Sequence, residues 1–197
     1  MMGKNINFKL VSLNVQGIRS FERRKDVLNW LYNSQANICF LQETYSTPEV
    51  VNTWKKQRKG DTFFSHGISH SKGTRILVKE QLDFKLISLK TDSLGRYIFL
   101  EAEIQDSSFV LLNIYAPNKC TEQCVFFSKL IEDVKDFVMD ADKSIIVGGG
   151  GFNVIFDQDL DGRGGNKKRK DSVRYVEDMI IEHDLLDIWR IRNPNDT

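Results

Sequence analysis

Four apolar runs in this chain each stop at polar side chains for which a core has no use. Phe8 to Val15 is broken by Asn14 and followed by Gln16 and Gly17. The run after Asn37 ends in Gln42 and Glu43. Phe109 to Ile114 ends in Tyr115, with Asn118 just beyond, and Ser144 to Val147 meets four glycines and then Asn153. Short apolar runs bounded by turn-formers read as buried strands. In open α/β sheets, the ends of such strands are where sites form. Singly, Asn14 reads as a turn residue, Glu43 as a solvated carboxylate, Tyr115 as a rim aromatic and Asn153 as a left-handed turn beside glycines. Together they make a hard, oxygen-rich cluster. That donor set suits Mg²⁺, which takes one or two carboxylates plus water and phosphate oxygens.

The segments between these runs complete an α/β pattern. Residues 22–34 have helical spacing, with Val27, Leu28 and Leu31 on one face and Arg23, Arg24 and Lys25 elsewhere. Strand, helix, strand in this order predicts a crossover whose two strands run parallel. Thr62–Ser65, Thr74–Lys79, Phe84–Lys90, Tyr97–Ile104 and Phe109–Tyr115 are β-branched and aromatic runs punctuated by Gly67, Gly73 and Gly95, the pattern of an antiparallel meander. A second helix is expected to open at Thr121 as its N-cap and run to Asp140. A third is expected over Asp171–His183, with Val173, Val176, Met179 and Ile180 inward. Ser144–Val147 is expected to end where the glycines begin.

At 197 residues the chain suits one domain, 1–197, and 41% apolar residues with 13 Phe exclude general disorder. The 28 Lys+Arg against 27 Asp+Glu leave a net charge of +1, so any surface for a polyanion must be local. Cys39, Cys120 and Cys124 form no CxxC pair, which points away from disulfides and thiolate zinc sites and towards a reducing, intracellular setting. No run approaches the roughly 20 apolar residues of a membrane span, so no membrane partner is expected.

The motifs L-N-V-Q-G-I at 13–18, L-Q-E-T at 41–44, N-I-Y-A-P-N at 113–118 and G-G-F-N at 150–153 resemble, in order, those of the endonuclease/exonuclease/phosphatase (DNase I-like) family. G-R-Y at 95–97 and D-L-L-D-I-W-R at 184–190 resemble the endonuclease domain of LINE-type non-LTR retrotransposons. The resemblance implies a four-layer α/β sandwich, two packed mixed β-sheets flanked by helices. It implies Mg²⁺ or Mn²⁺, weakly bound, with Glu43 as ligand and Asn14 beside it on the metal side. Tyr115 would bond the scissile phosphate, with Asn118 in the same loop and Asn153 donating to a phosphate oxygen. All four of Asn14, Glu43, Tyr115 and Asn153 would then share one cleft. The implied partners are DNA and a downstream reverse transcriptase of the same polyprotein. The chain would act as a monomer, in the nucleus if the parent element is active.

Two departures from the family stand out. The family motif G-D-F-N carries an Asp that handles the attacking water; here Gly150-Gly151-Phe152-Asn153 puts Gly151 in its place, with an added glycine stretching the turn. The Ser-Asp-His segment that supplies the family's catalytic His is not found in these 197 residues, and His66, His70 and His183 do not match it. The expectation is therefore a C-terminally truncated sandwich with an exposed sheet edge, whose nicking activity is impaired. A catalytically dead DNA-binding or relic domain and a phosphatase of the same fold are the alternatives. Gly162–Arg174 carries six basic residues and is a candidate DNA surface, whereas Lys55–Lys59 reads as a solvated face. Asp157, Asp159 and Asp161 have EF-hand spacing, but Lys168 stands where the loop needs its final Glu, which excludes that reading.

Overall fold

A computed structural model describes residues 7–68, 70–138, 143–156 and 171–196. The chain divides into two units. The first is Met1–Tyr115 with Asp140–Gly151, and the second is Ala116–Met139 with Phe152–Thr197.

The first unit is built on two four-stranded sheets. In one, β1 (Leu10–Asn14) runs parallel to β2 (Ile38–Gln42), with α1 (Phe21–Asn33) between them in sequence. β4 (Thr74–Val78) then lies antiparallel to β2, and β3 (Thr62–Ser65) antiparallel to β4. In the other, β5 (Phe84–Thr91), β6 (Tyr97–Ile104) and β7 (Ser107–Tyr115) form a meander, and β8 (Ser144–Gly151) runs parallel to β7. Both sheets are therefore mixed, as expected. The five middle runs do not form one meander, however. β4 is buried along its whole length and fills the slot beside β2, so β3 and β4 belong to the first sheet. Local pattern marks a strand; it does not choose the partner.

The two-residue period of the strands distributes their side chains between two cores. Ile38, Phe40, Ile76 and Val78 meet Ile98, Leu100, Ala102 and Leu111 between the sheets. Cys39, Leu41 and Leu77 face the other way, onto Leu31 of α1 and Trp54. Gly148 is required here, because a Cβ would lie 2.1 Å from the Phe40 ring. The glycine run does not end β8 but belongs to it. Asn113 pairs with Gly148 and Tyr115 with Gly151, so β8 carries one more residue than β7 over this stretch. The expected extra glycine thus sits in a strand irregularity rather than in a turn.

The helices correct several details. Ser20 caps α1, its side chain accepting from the Arg23 N–H at 3.3 Å. Arg24 is not on a solvated face. It is buried, its guanidinium donating to the carbonyls of Ile18, Arg19 and Ser20 and to Gln57. A helix not expected, α2 (Val51–Gln57), carries the fully buried Trp54 beneath its exposed Lys55 and Lys56. In the second unit, α3 is Cys120–Phe137. Lys119 precedes it without a side-chain cap, so Thr121 lies inside the first turn and caps nothing. α4 (Asp171–Glu182) buries Val173, Val176 and Met179, and Ile180 is half-buried. α5 (Ile188–Arg192) is capped by Asp187, which accepts from the Arg190 N–H at 2.9 Å.

One buried group lacks its usual partners. Arg75 on β4 is fully buried, and its guanidinium nitrogens have no hydrogen-bond partner among the described residues. Its charge rests between two rings, 4.1 Å from the Trp54 centroid and 4.6 Å from that of Phe64. Desolvation, then the nearby Arg58 and Arg24, hold its pKa well below the usual arginine range. Cation–π contact returns about 2 kcal/mol when desolvated, whereas burying an ion costs on the order of several. We expect Arg75→Met to raise stability in urea unfolding by roughly 1–3 kcal/mol. An unchanged or lowered midpoint would show that the aromatic stack carries the charge fully.

Candidate active site

The polar strand ends are positioned by a buried hydrogen-bond bridge within the first unit. Asn113 on β7 is fully buried. Its Nδ2 donates to the carbonyls of Leu41 at 3.1 Å and Arg75 at 2.9 Å, on two strands of the opposite sheet. Its Oδ1 accepts from Gln42 Nε2 at 2.8 Å, and Gln42 Nε2 also reaches Ser12 Oγ at 3.2 Å. Glu43 follows Gln42 directly and Tyr115 lies two residues after Asn113, so the bridge fixes both at the same end of the sandwich.

Beyond β2 the backbone turns sharply. Gln16, Glu43 and Tyr45 all have positive φ, at 47°, 54° and 53°, a region non-glycine residues seldom occupy without support from their surroundings. That support is present: the Gly17 N–H donates to the Glu43 carbonyl at 2.7 Å, Thr44 N–H to Gly73 O at 2.9 Å, and Tyr45 N–H to Lys72 O at 2.9 Å. Gly17 itself has φ +87°, and a Cβ there would lie 2.6 Å from the Tyr45 ring. The glycine of L-N-V-Q-G thus makes both the turn and the seat for Tyr45.

Glu43 is the centre of this group. Its Oε1 accepts from Asn14 Nδ2 at 2.8 Å, and its Oε2 from the Tyr45 hydroxyl at 3.1 Å. Asn14 turns its oxygen to the Gln16 N–H at 3.1 Å. As placed, Asn14 orients the carboxylate and keeps its own oxygen on the backbone. Tyr115 is 8% exposed and lies near Glu43. Burial, then the neighbouring Glu43 carboxylate, push its pKa up to about 12, against a smaller lowering by Arg96. The Arg96 guanidinium stands 5.1 Å from the Tyr115 ring centre. At neutral pH Tyr115 is a protonated phenol, a donor and not a base.

Asn153 and Asn118 form a second group, in the second unit. Asn153 has φ +54°. Its Nδ2 donates to the Ala116 carbonyl at 2.8 Å and to Asn118 Oδ1 at 2.7 Å. Gln123, fully buried on α3, donates to the carbonyls of Asn153 at 2.8 Å and Pro117 at 2.9 Å, and accepts from Ser172 Oγ. The structure therefore brings Asn14, Glu43 and Tyr115 together in one unit and Asn118 and Asn153 in the other.

Gly151 pairs with Tyr115 across β7 and β8, and a Cβ at 151 would lie 2.7 Å from Tyr115 Cδ2. None of the three histidines enters either group. His66 stacks on Phe64 with centroids 5.2 Å apart and meets Ser46 Oγ at 3.2 Å. Among the described residues, no three His, Cys, Asp or Glu side chains gather as a metal cage. Lys55, Lys56 and Lys59 are exposed, as expected, but Arg58 turns inward to the Val78 carbonyl at 3.0 Å. Residues 162–170 of the basic segment, and Asp157, Asp159 and Asp161, lie outside the described residues.

Sequence reasoning missed Tyr45, Arg96, Asn113 and Gln123. An Asn inside the otherwise apolar F-V-L-L-N-I was a visible signal for Asn113, and Tyr45 directly follows L-Q-E-T. For Gln123, a polar residue on an amphipathic helix, there was no such signal.

Two packed mixed sheets flanked by helices form a DNase I-like α/β sandwich fold. Among solved structures, the AP endonuclease LMAP of Leishmania major matches 96% of this chain and 71% of its own, with TM-score 0.77 and 14% identity. An AP endonuclease from Archaeoglobus fulgidus matches 96% and 76%, with TM-score 0.70 and 22% identity. In sequence, the chain is 32% identical over 185 residues, 93% of its length, to the transposon TX1 149 kDa protein of Xenopus laevis. It spans only 14% of that relative. No family model matches the chain.

The coupling of Tyr115 to Glu43 gives a titration test. In an alkaline absorbance titration Tyr115 should ionise late, at about 12. Glu43→Gln should lower that value but leave it above the usual ~10, since burial is the larger cause. The folded state holds this proton more tightly than the unfolded chain does. Its contribution to stability is therefore whole below pH ~10 and is lost as pH rises towards 12. A Tyr115 titration unmoved by Glu43→Gln would refute the coupling.

Proposed function

We propose that this chain is the endonuclease-like domain of a LINE-type retrotransposon protein, built to nick DNA with a divalent cation and impaired in this copy. The observation that carries the reading is the Glu43 carboxylate, held at the end of the sheets by Asn14 and Tyr45 with Tyr115 close by. Similarity to the transposon protein along 93% of the chain supports the origin. On this reading a reverse transcriptase lies in the same polyprotein, and the site of action is nuclear.

The donor set fits one hard cation, with little charge to hold it. Glu43 contributes a single carboxylate, its neighbours are neutral, and an Mg²⁺ ion there would keep most of its water. When bound, the cation polarises a phosphate oxygen and acidifies a water. The chain's own groups do the rest. Asn14 and Tyr45 fix the orientation of Glu43. Tyr115, protonated, donates to a phosphate oxygen, and Arg96 beside its ring adds positive charge. Gly151 offers no carboxylate to take a proton from water, and this favours the second reading, a DNA-binding domain without activity.

Two experiments test the proposal. Calorimetric titration with Mg²⁺ should show weak binding that Glu43→Gln removes. Equal binding by both proteins would exclude Glu43 as the ligand. Supercoiled plasmid nicking should be near background for the chain as it stands, because losing a positioned acid–base group costs about 10²–10⁴ in rate. Gly151→Asp alone should not restore it and should cost roughly 1–3 kcal/mol of stability, since its Cβ must displace the Tyr115 ring. Gly151→Asp in a chain continued through a Ser-Asp-His segment should nick. Strong Mg²⁺-dependent nicking by the unmodified chain, lost in Glu43→Ala, would overturn the assignment of Gly151 as the crippled position.

A further inference from the structure

Around Arg75, buried donors go without acceptors. Arg75 is fully buried, and its Nε, Nη1 and Nη2 have no hydrogen-bond partner among the described residues. The indole stacked on it adds another such donor, because Trp54 Nε1 is also buried and unpartnered. A guanidinium carries several N–H donors and an indole one more, and neither group accepts. The acceptors nearby are committed elsewhere. Arg24 donates to the carbonyls of Ile18, Arg19 and Ser20 and to the Gln57 side chain, and Arg58 donates to the Val78 carbonyl. Both arginines also lie close enough to act against the ionised form of Arg75, and among the described residues no carboxylate offsets that charge.

Hydrogen-bond chemistry decides what such a place can hold. A water molecule would accept from these donors but bring two hydrogens of its own, and a buried water needs polar partners for its bonds. Met by donors alone, it leaves its hydrogens unpaired. An anion accepts throughout, carries no hydrogens and supplies the missing negative charge. The rings of Trp54 and Phe64 cover the guanidinium at 4.1 and 4.6 Å, so a partner for Arg75 approaches at the edge of its plane. Full burial favours a single small ion. A halide is close to water in size, whereas phosphate is larger and more highly charged.

We propose that Arg75 and Trp54 Nε1 form an internal binding site for one chloride-sized monoanion, which ties α2 to β4. Trp54 belongs to α2 and Arg75 to β4, so a bound anion joins the helix to the sheet. The exposed Lys55, Lys56 and Lys59 on this segment raise the local concentration of anions at its surface. The site does not depend on Glu43 being a metal ligand.

The test measures stability against chloride at constant ionic strength, with gluconate, too large for a buried site, as the replacement anion. An ion bound at one site of the folded chain multiplies the folded-to-unfolded ratio in proportion to its concentration once the site is mostly filled. From urea unfolding, that ratio for the unmodified chain should rise about tenfold per tenfold rise in chloride in this range, and for Arg75→Met it should stay within about twofold. The gain expected from Arg75→Met should therefore be widest in gluconate and narrow as chloride rises. Equal slopes in the two proteins would mean a general salt effect, and no slope for the unmodified chain would mean no bound anion; either result overturns the proposal. A second readout leaves Arg75 in place. With the half-exposed Trp30 and Trp189 replaced (Trp30→Phe, Trp189→Phe), the fully buried Trp54 is the sole tryptophan. Bromide, a heavy halide, should quench its emission along a saturating curve, and chloride should compete. Emission that bromide leaves unchanged, or quenches without saturation, would overturn the site as well.

Discussion

The Asn113 amide is the interaction on which the arrangement of the first unit depends. It reaches from β7 into the facing sheet and bonds the carbonyls of Leu41 and Arg75 and the side chain of Gln42. Apolar contacts between the sheets are non-directional and would tolerate sliding. A buried amide that satisfies three partners does not, because any shift leaves polar groups unpaired in a region without water, at about 1–3 kcal/mol each. The bridge therefore sets the register of one sheet against the other where Glu43 and Tyr115 emerge. Gly148 works to the same end from β8, letting the Phe40 ring press onto the backbone.

Order at that end is maintained against local backbone preference. Gln16, Glu43 and Tyr45 hold positive φ within one short stretch of the fold. Each such residue costs on the order of 1–3 kcal/mol, and the loops that carry them are tied by backbone hydrogen bonds to residues 72 and 73. Strain placed beside a carboxylate that accepts a hydrogen bond on each oxygen describes a group held for a purpose. A solvated glutamate would need neither.

Much of this could be read from the residues, for reasons that also mark where reading stops. β2 and most of β7 were legible because strands buried on both faces write themselves as nearly unbroken apolar runs, and β4 and β6 as short runs rich in β-branched and aromatic residues. The site was legible because Asn14, Glu43 and Tyr115 interrupt that pattern at the same relative place. The partner of β4 was not legible, since apolar periodicity carries no information about which edge a strand will join. α2 was hidden by its own charges: Lys55, Lys56 and Arg58 suggest a solvated segment, while Trp54 just before them is fully buried. The burial of Arg24 was not legible for a related reason. A long side chain at the start of a helix can fold back and donate to the carbonyls of the preceding loop, and no sequence spacing records that.

The Gly151 and Tyr115 pair shows why the loss of one side chain is not a simple subtraction. In the irregular pairing of β7 and β8, the Tyr115 ring lies where a Cβ at position 151 would be. Any side chain at 151 would therefore press on the ring that lies near Glu43. The two positions are coupled through contact, and their effects on stability and on chemistry need not add. With glycine at 151, the phenol lies against the backbone of β8. A side chain placed at 151 would have to move the ring that stands beside Glu43, so a carboxylate could be added at this position only by displacing part of the polar cluster it would join.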